Sequence, residues 1–376
     1  MELKIRLTVL FVLIISFLVI APYLVFYSLG YRINFKDGGN ITATGGIYVH
    51  ALPAPDKTII DGITRNPGGL FSSSVFAQNL SPANHQVLIQ KDGYYDYQKT
   101  LAVKANEVTK LENVILFKQD IPFDLQSDPT IFAKISKEPV NRYVIVSNNL
   151  YYYDNAPENA SLTQAQKNTP LLKGVLAFKV AGSSIIWLGT DGFLKNTNAS
   201  NFNSTVELSK VAIKVSLKQA YKIETIGQET FLLVGTNLLM LNPTTQSFAN
   251  FYSPVTNLLI SSDQQKVIYY NDNAIMISLL ADNLVSKIQL VNSTDKIANV
   301  YWLNNDYIIF SAADKINISE IDYRGNVNVI YLPSNLALST GDKISVTKPQ
   351  VFFDQNSKTL YILTNGKLIS TNNLLP

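Results

Sequence analysis

The sequence predicts an all-β protein apart from one N-terminal transmembrane helix, with a small β-sandwich followed by a roughly six-bladed β-propeller. Three observations predict this fold class. Residues 7–31 form an uncharged apolar run, residues 45–118 carry short segments of alternating hydrophobicity, and residues 119–376 contain a longer repeat. A chain of 376 residues is long enough for two folded domains, which agrees with this division.

Composition limits the functions that are open to the chain. Hydrophobic residues make up 47% of the sequence, enough for a sizeable core, while 16% of residues are charged and the net charge is +3. The sequence has no block of Lys or Arg, so we expect no nucleic-acid partner. Cysteine is absent, which excludes disulfide bonds and thiolate metal sites.

The apolar run at residues 7–31 predicts a membrane-spanning signal anchor. At about 1.5 Å per residue its helix would be roughly 37 Å long, enough to cross a hydrocarbon core of about 30 Å. The alternative is a cleaved signal peptide, but the run is too long for its apolar part and no small-residue cleavage site follows. Lys4 and Arg6 precede the run, so we expect residues 1–6 to be a cytoplasmic tail and the bulk of the chain to be extracytoplasmic, at the cell membrane.

Residues 32–44 are predicted to be a linker with a glycine-rich hinge at 37–39, and residues 45–118 a β-sandwich. Six segments of the second region alternate between apolar and polar residues, as strands with one buried face do. They are GIYVHA, KTIID, SVFAQNL, HQVLIQK, YQKTLAV and VTKLENVILF. Pro, Asn, Asp and Gly separate them, so we expect the strands to be joined by short turns.

A cluster of tyrosines follows one of these turns. Asp92 and Gly93 predict a hairpin turn in which the glycine adopts a positive φ. Tyr94, Tyr95 and Tyr97 come next. We expect Tyr94 to be a core or corner residue and the other two to be half-buried aromatics of the sheet. The alternative is that the three rings form a binding patch.

The same region resembles the PEGA domain, a small β-sandwich of bacterial and archaeal surface proteins. The resemblance rests on GIYVHALPAPDKTIIDG, NLSPANHQVLIQKDGY and the closing YQKTLAVKANEVTKLENVIL. Residues 53–56 read Pro-Ala-Pro-Asp in place of Pro-Glu-Gly-Ala, Asn84 replaces a turn glycine, and TRNPGGLFSSS is added between the two halves. The family carries no known catalytic residues, so the resemblance implies a spacer or adhesion module.

Six stretches after residue 119 resemble one another and predict the blades of a propeller. Each has an apolar strand, a short polar turn and a second alternating strand. They are RYVIVSNNLYYYD, SIIWLGTDGFLKN, TFLLVGTNLLMLN, KVIYYNDNAIMIS, DYIIFSAADKINIS and TLYILTNGKLIS. Their second residues, Tyr143, Ile185, Phe231, Val267, Tyr307 and Leu360, are separated by 42, 46, 36, 40 and 53 positions. A period of about 40 to 45 residues is typical of a propeller, although a two-sheet sandwich also has many short strands.

The turns and one complete unit support the same interpretation. The predicted turns are Asn148-Asn149, Asp191-Gly192, Thr236-Asn237, Asp272-Asn273, Ala313-Asp314 and Asn365-Gly366. One unit reads SFANFYS, VTNLLISSDQQ, KVIYYNDN and AIMISLL, which we interpret as an outer strand, an inner strand and the central hairpin. Its Ser-x-Asp-x-x-Lys at residues 261–266 resembles the inter-strand turn of WD-repeat and TolB-like blades, although the Gly-His and Trp-Asp dipeptides of true WD repeats are missing.

The ring is predicted to close through a strand from its N-terminal end. An open propeller would leave an unpaired strand edge, which promotes aggregation. The last stretch is followed by six residues, so the last blade lacks an outer strand of its own. Residues 120–130 contain the apolar stretch IPFDL, and we expect them to pair with the strand around residues 367–370.

No pattern of catalytic or metal-binding residues is visible. His50 and His85 lie beside predicted strands of the sandwich without His, Asp or Glu neighbours at ligand spacing. The propeller has no histidine, which excludes a Ser-His-Asp triad within it, and the chain has no phosphate-binding glycine loop. We therefore predict no catalytic, cofactor-binding or metal-binding residues and no cofactor.

The remaining polar and aromatic candidates have structural interpretations. Six aspartates lie next to hairpin or inter-strand turns, where we expect them to stabilise the turn through hydrogen bonds to nearby amides. They are Asp191, Asp263, Asp272, Asp306, Asp314 and Asp354. Trp187 and Trp302 fall inside blade strands, and we expect both to be core residues rather than ligand platforms.

These observations predict a single-pass membrane protein with a non-catalytic binding or scaffold role at the cell envelope. Its partners would be the membrane, through the N-terminal helix, and a protein or polysaccharide at the cell surface. A sensory or assembly role in an envelope complex fits the sequence equally well. The alternative is a carboxylate-based glycan hydrolase or lyase in the propeller channel. The inner-strand candidates VTNLLIS, NVYWLN and GVLAFKV disfavour it because they are largely apolar; a ring of carboxylates at the propeller mouth would favour it.

Overall fold

The computed structural model describes residues 3–28, 30–34, 40–66, 73–136, 142–153 and 169–376. The chain divides into two compact units. Unit 1 consists of Met1–Pro122, Asp322–Ile330 and Asn372–Pro376, and unit 2 of Phe123–Ile321 and Tyr331–Thr371. The predicted hinge at 37–39 and the central part of the predicted insertion, residues 67–72, lie outside the described residues.

The N-terminal apolar run forms one long helix, α1 (Leu3–Ser28). Within the described residues it is the one helix that is long and apolar enough to cross a membrane, and none of its most apolar window is buried in the protein. The helix lies further toward the N-terminus than the predicted span of 7–31. It ends early because Gly30 has a φ of +87°, a left-handed conformation that commonly terminates helices.

The predicted linker at 32–44 contains a short antiparallel hairpin. Its strands are β1 (Tyr31–Asn34) and β2 (Asn40–Ala43). Arg32 of β1 places its guanidinium carbon 3.7 Å from the centre of the Tyr27 ring and donates a hydrogen bond to Asn79 (2.7 Å). These contacts hold the residues that follow α1 against the rest of unit 1. Strands of four residues carry too little alternation to be recognised from sequence.

The predicted β-sandwich is confirmed, with all six predicted strands and one more. The strands are β3 (Gly45–Leu52), β4 (Lys57–Ile60), β5 (Ile63–Arg65), β6 (Ser74–Leu80), β7 (Asn84–Gln90), β8 (Tyr97–Ala102) and β9 (Val108–Ile115). One sheet has the order β6-β3-β9, with β3 and β9 parallel, and the other has the order β5-β4-β7-β8. Alternate residues of both sheets, such as Ile47, Val87 and Leu101, form one shared core.

A segment from far along the chain completes unit 1. Residues Asp322–Ile330 lie along β8, the last strand of its sheet. The Thr100 amide donates to Asn326 Oδ1 (2.9 Å), and Asn326 Nδ2 donates to the Gln98 carbonyl oxygen (2.8 Å). The first part of unit 1 ends at Pro122, close to the predicted boundary at residue 119, and unit 1 also includes this segment and the C-terminal residues. The segment bonds to β8 through side-chain amides and not through a backbone ladder. Its sequence therefore has no strand pattern from which this contact could be predicted.

Unit 2 is built from small antiparallel sheets. Its short helix is α2 (Phe132–Ile135), and one-turn 3₁₀ helices occupy Pro129–Ile131 and Leu280–Asp282. Its strands, with β29 sharing residues with the segment of unit 1, are β10 (Asp124–Leu125), β11 (Tyr143–Val146), β12 (Asn149–Tyr152), β13 (Leu172–Lys173), β14 (Val175–Ala181), β15 (Ser184–Gly189), β16 (Leu194–Asn198), β17 (Asn201–Glu207), β18 (Tyr221–Ile226), β19 (Glu229–Val234), β20 (Asn237–Asn242), β21 (Ser247–Tyr252), β22 (Asn257–Ile260), β23 (Lys266–Tyr270), β24 (Ala274–Leu279), β25 (Ile288–Asn292), β26 (Ile297–Trp302), β27 (Tyr307–Ala312), β28 (Lys315–Glu320), β29 (Val329–Tyr331), β30 (Asn335–Ala337), β31 (Lys343–Ser345), β32 (Gln350–Asp354), β33 (Thr359–Thr364) and β34 (Lys367–Thr371).

Six sheets of unit 2 correspond to the six predicted repeats. Within the described residues their orders are β11-β12-β13, β14-β15-β16-β17, β18-β19-β20-β21, β22-β23-β24-β25, β26-β27-β28-β29 and β32-β33-β34-β10. Each predicted hairpin is present, so the roughly six-bladed propeller is confirmed. The longest spacing, 53 residues, arises because the extra hairpin of β30 and β31 precedes the last sheet. SFANFYS was predicted to be the outer strand of the unit that contains KVIYYNDN. It is β21 and belongs to the preceding sheet, where it pairs with β20.

The turns within these hairpins follow the predicted chemistry with small shifts. Gly192, Ala313 and Asn365 adopt positive φ where turns were predicted. In the first repeat the turn is Ser147-Asn148, and in the third Gly235 takes the positive φ, one position before the predicted Thr236. Glycine at this position adopts the left-handed conformation without steric cost, which explains the shift.

The predicted ring closure is confirmed. The short strand β10 pairs antiparallel with β34, with Asp124 opposite Ser370 and Leu125 opposite Ile369. The Gln126 amide continues the ladder by donating to the Leu368 carbonyl oxygen (2.8 Å). The last sheet therefore gains its outer strand from the N-terminal end of unit 2.

Candidate functional site

The inner side of the ring is formed by the first strands of the four-stranded sheets. Strand β14 contacts β18, β18 contacts β22, and β26 contacts β32. In a propeller the first strands surround the central channel, where a ligand meets several blades at once. The side chains on these strands are therefore the first place to look for a functional site.

Five side chains on three neighbouring sheets form a polar network that we call the inner cluster: Lys179, Lys222, Glu224, Asn257 and Tyr270. Lys179 Nζ donates to Glu224 Oε2 (2.6 Å), and Lys222 Nζ lies 3.4 Å from Glu224 Oε1. Lys222 Nζ also donates to Asn257 Oδ1 (2.9 Å). The Tyr270 hydroxyl hydrogen-bonds Asn257; burial raises the pKa of Tyr270, and this hydrogen bond opposes the increase.

The inner cluster combines two cations with one largely buried carboxylate. Two ammonium groups surround one carboxylate, and the Glu224 side chain is only 13% exposed, whereas the Lys179 side chain is 39% exposed. Lys179 is the more accessible of the two lysines, because the Lys222 side chain is 26% exposed, and it carries its ammonium group toward solvent. This arrangement ties three sheets together and suits contact with an anionic group.

Aromatic side chains occupy the inner strands of the last two sheets. The rings of Tyr301 and Phe352 meet edge to face at 5.4 Å, and Phe352 stacks on Tyr361 at 6.3 Å. Burial raises the pKa of Tyr301, and the nearby Tyr270 adds to the increase. All three rings are half-buried, so they are available both for packing and for contact with a ligand.

Carboxylates are sparse along the inner strands. In the described strands β14, β18, β22, β26 and β32, Glu224 and Asp354 are the acidic residues. Asp354 ends its strand and accepts hydrogen bonds from the Asn356 amide (3.0 Å) and the Ser357 hydroxyl (2.7 Å), as a turn-stabilising aspartate does. These strands therefore carry no ring of carboxylates.

The other predicted turn aspartates fall into two groups. Asp191 and Asp263 accept hydrogen bonds from the amides of Phe193 (3.2 Å) and Gln265 (3.0 Å), which confirms the predicted role. Burial alone would raise the pKa of Asp263, but hydrogen bonds from Lys266 and Ser261 outweigh it and hold that pKa below its usual value. The specified residues of the predicted Ser-x-Asp-x-x-Lys turn, Ser261, Asp263 and Lys266, therefore hydrogen-bond to one another.

Three of the predicted aspartates make different contacts. Asp314 accepts a hydrogen bond from the amide of Lys348, far along the chain (2.7 Å). Asp272 forms an ion pair with Lys296 (3.2 Å). The amide of Asp306 donates to Asn304 Oδ1 (2.8 Å), so in this turn the asparagine takes the expected role.

The two tryptophans are core residues, as predicted. Trp187 is 6% exposed and donates from Nε1 to the Thr197 hydroxyl (2.9 Å). Trp302 is 5% exposed. Neither ring provides an open platform for a ligand.

The two histidines of unit 1 bond to side chains and backbone. His85 is buried, with Nδ1 2.5 Å from Asp61 Oδ2 and Nε2 2.8 Å from the Ser81 carbonyl oxygen. His50 Nδ1 lies 3.0 Å from the Ser73 hydroxyl. His85 therefore has a carboxylate neighbour that local spacing did not predict, because the fold brings Asp61 from another strand end. No group of three potential metal ligands comes together in the described part of the chain.

The tyrosine cluster lies beside a polar groove of about 360 Å³ at the Asp92-Gly93 turn. Asp56, on its wall, accepts hydrogen bonds from the Asp92 amide (2.9 Å) and from Lys91 Nζ (3.4 Å). The Asp92 amide is the main reason why the pKa of Asp56 is lowered. Asp96, which also lines the groove, accepts a hydrogen bond from Gln90 Nε2 (2.8 Å). These polar groups therefore hold the turn itself.

The tyrosines have different environments, in partial agreement with the prediction. Gly93 has the expected positive φ of +75°. Tyr94 packs half-buried against the core and lines the groove, and Tyr95 is half-buried before β8 begins. Tyr97 is only 4% exposed, so it is a core residue and not the half-buried one that was predicted. One ring, that of Tyr94, remains at the groove.

Comparisons with known proteins do not assign the chain to a family. No family model matches the chain, and no curated protein matches it in sequence. Among solved structures, the chain is similar to a chain in the complex of S. cerevisiae Dbp5 with Nup159, Gle1, IP6 and ADP. The identity is 10%, 67% of this chain and 81% of that chain are covered, and the TM-score is 0.35. It is also similar to the N-terminal domain of Nup159, with 11% identity, coverage of 53% and 76%, and a TM-score of 0.31.

Sequence reasoning missed the inner cluster and a buried lysine. Lys222 and Glu224 sit two positions apart in the strand YKIETI, so both point to one face, which was a visible signal. Lys99 is fully buried in unit 1, where Nζ donates to the carbonyl oxygens of Asp322 (2.7 Å) and Asn326 (2.9 Å). The strand alternation places Lys99 on the same face as the buried Tyr97 and Leu101, which was a local signal of burial. Its partners lie more than two hundred residues away, so the sequence could not identify them.

Proposed function

We propose that the chain is a single-pass, membrane-anchored extracytoplasmic protein with a non-catalytic binding or scaffold role at the cell envelope. The observation that carries the proposal is α1, a long apolar helix whose most apolar window is not buried in the protein. Exposing such a helix to water would be strongly unfavourable, so it requires a lipid environment. A removable signal sequence has the same composition, and the experiment below separates the two.

Unit 1 then acts as a spacer module and unit 2 as the binding platform. The PEGA resemblance of the sandwich supports a spacer or adhesion role. In unit 2, the inner cluster and the aromatic group of Tyr301, Phe352 and Tyr361 supply charged and apolar contacts of the kind that protein or polysaccharide ligands use. The sparse carboxylates of the described inner strands favour binding over glycan hydrolysis, which uses two carboxyl groups.

Membrane fractionation with an alkaline carbonate wash tests the anchor. We expect the intact chain to stay in the membrane pellet, with a mass that includes residues 1–31. A matched variant with Leu13→Arg and Val19→Arg should leave the pellet or fail to insert, because each central arginine opposes insertion by about 2.5–3.5 kcal/mol. Release of the unaltered chain by carbonate, or a mature chain that begins after residue 31, would contradict the proposal.

A further inference from the structure

The connection between β17 and β18 has an unusual sequence. Residues 210–218, KVAIKVSLK, are named here the basic segment. Lysines recur at every fourth position, and apolar residues alternate with polar ones over most of its length, as in a strand with one buried face. The basic segment nevertheless belongs to none of the sheets in the described part of the chain.

Burial shows how the basic segment is oriented. Ile213 and Val215 are half-buried and pack against the core between two sheets, while Ala212, Lys214 and Ser216 are exposed. This alternation places the three lysines on the outward face. The segment is held in position, because the Lys210 amide donates to the Gln246 carbonyl oxygen (2.7 Å) and the Ile213 amide to the Gly192 carbonyl oxygen (2.9 Å).

On the edge of the basic segment formed by its even-numbered residues, a short stretch at Ala212 and Lys214 has no protein partner. In extended backbone, neighbouring residues direct their amide and carbonyl groups to opposite sides. The Ile213 amide is used, whereas the amides of Ala212 and Lys214 make no hydrogen bond among the described residues. On the same edge the Lys210 amide is bonded to the Gln246 carbonyl oxygen and the Ser216 amide to the Tyr221 hydroxyl (2.6 Å). The unpaired edge is therefore the short stretch 211–215, and it is of the kind that binds an added strand.

Charge and apolar exposure indicate what would bind there. Lys210, Lys214 and Lys218 form no ion pair with any described residue, and no acidic residue occurs between Glu207 and Glu224. Leu217 is 70% exposed and Val211 56% exposed, and these side chains lie at the two ends of the segment. Aliphatic side chains flanked by cations match a peptide with apolar and acidic residues better than a polysaccharide, which is usually bound on aromatic rings.

We propose that the basic segment is a docking edge for an extended acidic peptide of a partner protein, which adds a short strand beside residues 211–215. Carboxylates of the peptide would pair with the three lysines, and its backbone would receive hydrogen bonds from the amides of Ala212 and Lys214. This inference deepens the proposed binding role and rests on it, but it does not depend on the membrane anchor. Its failure is therefore distinguishable from that of the anchor, which the carbonate wash measures.

Fluorescence anisotropy with the full chain in detergent tests the docking edge. The probe is a fluorescein-labelled peptide of eight residues in which Asp and Val alternate. The variant Lys210→Gln/Lys214→Gln/Lys218→Gln should bind it at least about tenfold more weakly, because three charge pairs are lost. The control Lys343→Gln/Lys358→Gln/Lys367→Gln removes the same net charge at exposed lysines outside the segment and should bind as the unaltered chain does.

A backbone variant separates strand addition from simple charge attraction. Ala212→Pro keeps every charge but removes an amide on the open edge, so it should weaken peptide binding by a similar factor. Unchanged binding of this variant, together with equal competition by dextran sulfate, would mean a general polyanion surface and would overturn the proposal. Equal losses in both triple-lysine variants would overturn it as well.

The cysteine-free sequence allows a direct test of a lipid surface as the alternative occupant. A fluorophore on Leu217→Cys is attached at a single site, because the chain has no other cysteine. Quenching of this fluorophore by spin-labelled lipids in phosphatidylserine vesicles, with no binding of the acidic peptide, would contradict the proposal. Protection of the fluorophore by the peptide alone would support it.

Discussion

At the scale of single residues, Lys99 makes the most consequential contact in unit 1. Its side chain is fully buried, and its ammonium group satisfies the carbonyl oxygens of Asp322 and Asn326. Replacement by methionine keeps the length of the side chain but leaves both carbonyls without a donor. Lys99→Met should therefore destabilise unit 1 by about 1–3 kcal/mol.

Hydrogen exchange at β8 measures this effect locally. The Thr100 amide should lose about tenfold or more of its protection in Lys99→Met, since it bonds to the same segment. Lys110→Met, at a side chain that is 64% exposed, is the matched control and should leave the exchange unchanged. Both tryptophans lie in unit 2, so their fluorescence shows whether that unit stays folded. Wild-type protection at Thr100 in Lys99→Met would contradict this account.

Asp322 gives unit 1 a predictable dependence on pH. Burial alone would raise its pKa, but hydrogen bonds from Arg324 and the charges of Lys99 and Arg324 hold that pKa below its usual value. A carboxyl group whose folded pKa is lowered stabilises the protein above its unfolded pKa of about 3.9 and ceases to do so as the pH falls through the folded pKa.

The melting temperature of Asp322→Asn, compared with that of the unaltered chain, tests this dependence. We expect the melting temperature of the unaltered chain to exceed that of Asp322→Asn by a constant amount between pH 7 and about pH 5. The difference should shrink below about pH 4, as Asp322 becomes protonated. Calorimetry of both chains in detergent gives the comparison. A difference in melting temperature that grows on acidification would contradict the lowered pKa of Asp322.

At the scale of elements, two glycines allow backbone strain to be separated from steric collision. Gly93 and Gly325 have similar positive φ values, +75° and +66°. A Cβ on Gly93 would meet open space, whereas one on Gly325 would collide with the Thr100 carbonyl oxygen. Gly93→Ala should cost about 1 kcal/mol, the cost of the conformation alone. Gly325→Ala should cost clearly more, because the segment must also move away from β8.

Thermal unfolding of unit 1 in the two glycine variants provides the comparison. Equal losses of stability in the two variants would mean that the segment containing Gly325 moves away from β8 at no cost. An unchanged stability of Gly93→Ala would mean that the turn lies elsewhere. The sequence predicted the first turn, since Asp-Gly between alternating runs is a strong hairpin signal. It did not predict the second, because the contact of Gly325 with Thr100 joins parts of the chain that have no local relation.

At the scale of the whole molecule, the repeat of about 43 residues was sufficient to predict six sheets and their order. Hairpin turns and apolar strands are local features, so the spacing of Tyr143, Ile185 and their counterparts reports them directly. The candidate site was predicted less well. Lys179 and Glu224 meet only because β14 and β18 are neighbours in the ring, and a contact between sheets leaves no periodic trace in the sequence.

Closure of the ring by β10 is the central claim about the whole molecule, and a disulfide cross-link tests it most directly. Asp124 and Ser370 lie opposite each other in the antiparallel pair, where Cα atoms are about 4.5–5.5 Å apart, a separation that a disulfide spans. The chain has no cysteine of its own, so Asp124→Cys/Ser370→Cys contains a single possible pair. We expect rapid cross-linking under mild oxidation in the full chain, seen as a reducible shift in electrophoretic mobility. The control Asp124→Cys/Lys358→Cys places its second cysteine in the β32–β33 turn and should not cross-link. Cross-linking of the first variant no faster than that of the control would contradict a ring closed by its N-terminal strand.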